Sequence, residues 1–220
     1  MRIIRRSLPA AAGVVAVLGL SVTSASATSA DSWTVSNPRP DGAFSGVLKD
    51  GTRAAVEDVD TGQQLVCHGP ETRVRGSMPS GVYPDGTDLG AVTAFAWGDP
   101  VSGSCHGPLG TTFSAELVST GTKFSAESYT EGIVAGRLTG VVLAFAADTW
   151  TGHCTMRISG SLDRVTYRNS TGELSITAGA GLTMSDVSTD GSCMGLLNEG
   201  DRVKYSATFV LDEPLTVNSP

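Results

Sequence analysis

A five-residue stretch occurs twice in the chain, Gly-Ser-Cys-His-Gly at 103–107 and Gly-Ser-Cys-Met-Gly at 191–195. Each copy follows another cysteine at nearly the same distance, 38 residues from Cys67 to Cys105 and 39 from Cys154 to Cys193. The chain therefore reads as a duplicated unit, with a first half over 28–131 and a second over 132–220. Four cysteines permit three pairings. A unit copied together with its own bridge selects Cys67 with Cys105 and Cys154 with Cys193. Closing loops of this size stabilises a fold by about 4 kcal/mol each in the chain-entropy account. A feature present in both halves is more readily a device that holds the fold than a catalytic one.

Disulfides need an oxidising compartment, and the first residues supply a route to one. Arg2, Arg5 and Arg6 precede an apolar run from Leu8 to Val22, and Ala25-Ser26-Ala27 follows. This is the layout of a secretory signal peptide over 1–27, so the expected location is outside the cell. The run contains Pro9, Gly13 and Gly19 and falls short of the ~20 residues of a membrane-spanning helix. No transmembrane segment is expected after its removal. Without the leader arginines, 12 basic side chains stand against 22 acidic ones. Such a chain repels nucleic acid and anionic membrane surfaces, both of which are bound through basic patches.

Strand periodicity sets the fold class. Phe113, Ala115 and Leu117 alternate with Thr112, Ser114 and Glu116, and Val203, Tyr205, Ala207, Phe209 and Leu211 alternate with polar neighbours. Both segments follow a Gly-Ser-Cys turn and contain aromatic-Ser-Ala, which extends the repeat. The nearly continuous apolar run from Leu138 to Ala147 predicts a strand buried on both faces. Asp50-Gly51, between Ala43–Lys49 and Thr52–Val59, predicts a hairpin, and Ser170-Thr171-Gly172 predicts another tip. Phe124-Ser125-Ala126 predicts a strand returning onto 112–118. Residues 31–41 show no period, 69–89 predict a loop with at most one short strand, and Gly98-Asp99-Pro100 marks a turn. No segment keeps a 3.6-residue period for three turns. The expectation is an all-β, mainly antiparallel body, a β-sandwich or barrel-like structure built from two similar halves.

Candidate sites are few. Gly-Ser-Cys-x-Gly mimics a nucleophile elbow, but no helix follows either copy and a bridged sulfur is not a thiolate. His68 and His106 each follow a cysteine of the expected first bridge, which makes them a two-ligand metal candidate. With Met194 where His106 stands in the first copy and no carboxylate nearby, neither a functional metal nor any other cofactor is expected. Asp58-Val59-Asp60-Thr61-Gly62 resembles the opening of a calcium loop, yet Gly69 occupies the place of the closing glutamate, so the stretch reads as an acidic turn. Glu57, Asp58, Glu116, Glu127, Glu131 and Asp148 are the carboxylates available to a glycoside hydrolase. Trp97 and Trp150 are the aromatics available to stack on a sugar ring.

Several motifs recur together. Trp33, Phe44-Ser45-Gly46, Cys67, Cys105-x-Gly107-Pro108-Leu109-Gly110, Tyr167-x-Asn169-Ser170-Thr171-Gly172-x-Leu174 and Cys193-x-Gly195-Leu196 with Gly200-Asp201 resemble small, uncharacterised secreted proteins of actinobacteria. The resemblance spans nearly the whole chain after the leader and implies export, but transfers no functional residue. The histidines beside Cys67 and Cys105 are not part of that pattern. The function expected is a secreted, extracellular or cell-wall-associated protein that binds a ligand or plays a structural part without catalysis. The alternative is a secreted hydrolase using a pair of acidic residues.

Overall fold

The computed structural model describes residues 32–97 and 105–219. The expected signal peptide, the Gly98-Asp99-Pro100 turn and Gly103-Ser104 of the first repeat lie outside the described residues. The N-terminal half contributes β1 (Trp33–Ser36), β2 (Ala43–Leu48), β3 (Ala54–Asp58), β4 (Gln64–Cys67), β5 (Arg73–Ser77), β6 (Gly81–Tyr83), β7 (Gly90–Trp97), β8 (Cys105–His106), β9 (Thr112–Leu117) and β10 (Lys123–Thr130). The C-terminal half contributes β11 (Ile133–Thr149), β12 (Gly152–Arg168), β13 (Glu173–Ser185), β14 (Arg202–Leu211) and β15 (Thr216–Asn218). One 3-10 turn at Pro108–Gly110 is the only helical element among the described residues. The all-β, antiparallel expectation holds. No helix among the described residues is long and apolar enough to cross a membrane.

Among the described residues, twelve strands form one sheet that closes on itself twice. One circuit, the tail ring, runs β10–β11–β12–β13–β14–β2–β5–β7 and returns to β10. The other, the disulfide ring, runs β9–β11–β12–β13–β14–β3–β4–β8 and returns to β9. The strands β11 to β14 belong to both. At ~3.3 Å per residue, the 17 residues of β11 and of β12 are long enough to wall two rings in series. β11 pairs with β10 over 133–139 and with β9 over 143–148. Register shifts at Leu138–Val141, Gly160–Val165 and Ala178–Leu182 mark the waist between the rings. Gly160 is required there, because a Cβ on it would stand 2.2 Å from the carbonyl oxygen of Gly181.

This arrangement corrects five local expectations. Asp50-Gly51 does turn, with Gly51 at φ 74°, but β2 and β3 do not pair with each other. Both lie along β14, β2 against Phe209–Leu211 and β3 against Val203–Ser206, so the turn carries the chain from one ring into the other. β10 likewise lies beyond β9 along β11 and does not return onto β9. Residues 31–41 contain β1, whose buried Trp33 and Val35 alternate over too few positions to show a period. Residues 69–89 hold two short strands, β5 and β6, and not one at most. The Leu138–Ala147 run is buried on its inner face only, and Ala144 and Ala146 on the outer face are partly exposed.

Inward side chains from all four shared strands fill both rings. At the centre, Trp97 stacks on Tyr205 (centroids 4.9 Å apart, planes at 9°) and meets Phe145 edge-on at 5.6 Å. Phe95 bridges Tyr205 and Phe209 at 6.2 and 6.0 Å. The small sheet β15–β1–β6 closes the tail ring, with Leu215 and Val217 buried. Tyr167 holds this tail: its hydroxyl donates to the Leu215 carbonyl (2.7 Å) and accepts from the Leu215 N–H (3.0 Å). Asn169 bonds Val217 in the same double manner, which gives its side chain a structural task.

Candidate functional site

The four cysteines form Cys67–Cys105 and Cys154–Cys193, the pairing that duplication selects. Both bridges lie in the disulfide ring. Cys67 and Cys105 face each other across β4 and β8. Cys193 ties the loop 186–201, which links β13 to β14, onto β12. Leu197 of that loop is buried, and Val187 and Leu196 pack against the core. The loop closes the open end of the ring.

His106 stands opposite Val66, with His68 displaced along the same ladder, and both are exposed. The acidic residues read from the sequence are dispersed. Glu127 pairs with Arg137 (3.2 Å), Glu57 with Lys204 (3.6 Å), and Asp148 with His153 (2.8 Å). Glu131 sits at the β10–β11 turn with φ 49°. Glu116 lines an open outer groove of about 650 Å³, floored by Ala96, Ala144 and Ala146. The second carboxylate of that groove, Asp186, is engaged by Arg157 at 3.6 Å. Glu116 and Asp186 are rooted three strand spacings apart, about 14 Å, so the groove sets opposite charges side by side more than it pairs carboxylates.

The two candidate tryptophans have opposite fates. Trp97 is 1% exposed and belongs to the core, whereas Trp150 is 85% exposed. Trp150 occupies the β11–β12 tip, and its indole N–H points at the sulfur of Met194. Leu109, 76% exposed, stands across an open hollow of about 410 Å³ that Trp150, Met194, Gly110, Thr111 and Asp148 also line. Leu109 and Met194 both have positive φ, 57° and 56°, a conformation that costs a non-glycine residue energy. Met194 directly follows Cys193 and Leu109 lies in the 3-10 turn after Cys105, so a turn beside each bridge sets an apolar side chain next to the indole. The tip is also fixed by Thr149 and Thr151, whose hydroxyls donate to the Ser192 carbonyl at 2.8 and 3.2 Å. The result is a rigid apolar platform with a polar rim of Asp148 and His153. Sequence reasoning named Trp150, but Leu109 and Met194 join it only through the fold.

The chain matches no protein-family model, no curated protein and no solved structure.

Proposed function

We propose that the chain is a secreted, disulfide-stabilised protein, extracellular or cell-wall-associated, that acts by binding and not by catalysis. The exposed, rigidly seated Trp150 carries this reading. An indole surrounded by solvent contributes nothing to the core, and large apolar side chains held outward mark contact surfaces. The flat ring with Leu109 and Met194 at its sides suits the apolar face of a sugar ring, while Asp148 and His153 offer hydrogen bonds to hydroxyls. The expected ligand is therefore a cell-wall glycan.

Cosedimentation with purified insoluble cell-wall polysaccharide tests the proposal. Wild-type protein is expected in the pellet, and Trp150→Ala is expected to weaken retention at least about tenfold, as loss of a stacking anchor does. Equal retention of the two proteins would refute the platform. Export has its own readout: protein recovered from the culture medium is expected to begin at Thr28.

A further inference from the structure

We propose that Asp58, Asp60 and Asp201 form a calcium site that fastens loop 186–201 to the β3–β4 turn. Each offers a carboxylate oxygen, and these atoms lie within 4.8 Å of one another. Asp58 carries the argument. It continues the inward register of Ala54 and Val56 along β3, where an apolar side chain is the rule, and it is 1% exposed. Its Oδ1 accepts the backbone N–H groups of Asp60 and Thr61 at 2.9 and 3.0 Å. Its Oδ2 is buried and meets no donor. A charged oxygen withdrawn from water without a partner is costly, and a cation shared with two neighbouring carboxylates removes that cost.

The surrounding charge fits a divalent ion. Arg202 donates to Asp60 through both its guanidinium (2.7 Å) and its backbone N–H (2.8 Å), which holds the Asp60 carboxyl below the usual range. One of three negative charges is thereby compensated and two are left. All donors are hard oxygens, without imidazole or thiolate, which selects calcium or magnesium over zinc or copper. The ligands come from a turn and a loop, and such an irregular set suits calcium, which tolerates variable geometry, better than octahedral magnesium. Asp201 accepts from the N–H and side-chain amide of Asn198 at 3.0 and 2.9 Å, so its carboxylate is already aligned. Thr61 adds a bond to the Leu196 carbonyl at 3.2 Å, which joins the same turn to the same loop. This site lies apart from the Trp150 platform and stands or falls independently of it.

Calorimetry and thermal melting of the disulfide-intact protein, stripped with chelator and titrated with calcium chloride at neutral pH, provide the test. Saturable binding is expected with Kd about 10⁻⁴ to 10⁻³ M, the range of extracellular calcium modules, together with a calcium-dependent rise in Tm. Magnesium is expected to bind at least about tenfold more weakly. Asp58→Asn keeps an acceptor for the two N–H groups while removing the charge, and both it and Asp201→Asn are expected to weaken calcium at least about tenfold. Glu213→Gln, a distant exposed control, is expected to leave the affinity unchanged. Absence of saturable heat and of any Tm shift at ~10 mM calcium, or binding that survives both aspartate substitutions, overturns the proposal. If Asp58→Asn does not fold, Asp201→Asn at its partly exposed position decides.

Discussion

Tyr205 and Tyr167 are both buried tyrosines, and the structure assigns their hydroxyls opposite values. Tyr205 Oη has no hydrogen-bond partner, nor has the Trp97 Nε1 beside it. The two rings lie within 9° of parallel, so the indole N–H, which lies in its own ring plane, runs alongside the phenol and not into it. A buried hydroxyl without a partner costs ~1–3 kcal/mol. Tyr205→Phe removes that cost and keeps the ring stacked between Trp97 and Phe95. The variant is expected to melt about 2–12 °C higher, taking 2–4 °C per kcal/mol for a chain of this size.

The alkaline limb supplies a second readout of the same residue. Burial raises the Tyr205 phenol well above 10 and the Tyr167 phenol to about 12. Above pH 10 the unfolded chain gives up these protons while the native state keeps them, so stability falls as pH rises. Each tyrosine contributes a slope of about −1.4 kcal/mol per pH unit while only its unfolded form is ionised. Tyr205→Phe should therefore roughly halve the contribution of this pair between pH 10 and 12. Urea denaturation across that pH window measures it. A lowered Tm, or a slope identical to wild type, would falsify the claim that Oη is unpartnered.

Tyr167→Phe should act in the opposite sense, lowering stability by about 1–3 kcal/mol because the Leu215 N–H and carbonyl lose their partner inside the protein; urea unfolding measures this. Replacing Cys154 and Cys193 together by Ala should cost about 2–5 kcal/mol and, on limited proteolysis, expose loop 186–201 first. Gly160→Ala should destabilise by about 3 kcal/mol or more, since its Cβ meets backbone and not a yielding side chain; thermal melting reads the loss. Trp150→Ala should leave Tm within about 2 °C of wild type, as expected for an exposed side chain, even while it weakens retention on cell wall at least about tenfold.

What the sequence disclosed was governed by range. The alternation of β9 and β14 is written into neighbouring residues, and the repeated Gly-Ser-Cys stretch with its matching cysteine spacing points to the pairing that forms. Asp50-Gly51 announced a turn correctly, but a turn signal does not say which strand its flanks pair with. Here both flanks follow β14, far along the chain, because a long strand with an apolar inner face offers β2 and β3 a common partner. The same reason displaced β10 from β9 onto β11. β1 and β6 are strands chiefly because they have each other and β15 to pair with. The acidic turn at Asp58 showed only two of its three carboxylates, since the third arrives with Asp201 after the chain has built the ten strands β4 to β13. Trp97 and Trp150 could not be told apart by composition. Their fates depend on whether the strand register or the hairpin tip receives them.

Sharing β11 to β14 between two rings has a consequence for how the molecule comes apart. Neither ring owns a complete wall. If the tail ring loses its shared wall, the strands it gives up are the same ones that carry Tyr205 and Phe145 in the other. The contacts closing each circuit are slight: two residue pairs join β10 to β7 and one joins β8 to β9. These seams can part without freeing the shared wall, whereas the wall cannot loosen without emptying both interiors. The chain should thus melt in one cooperative step, and its amide protection should be lowest along the seams and highest along the four strands common to both rings.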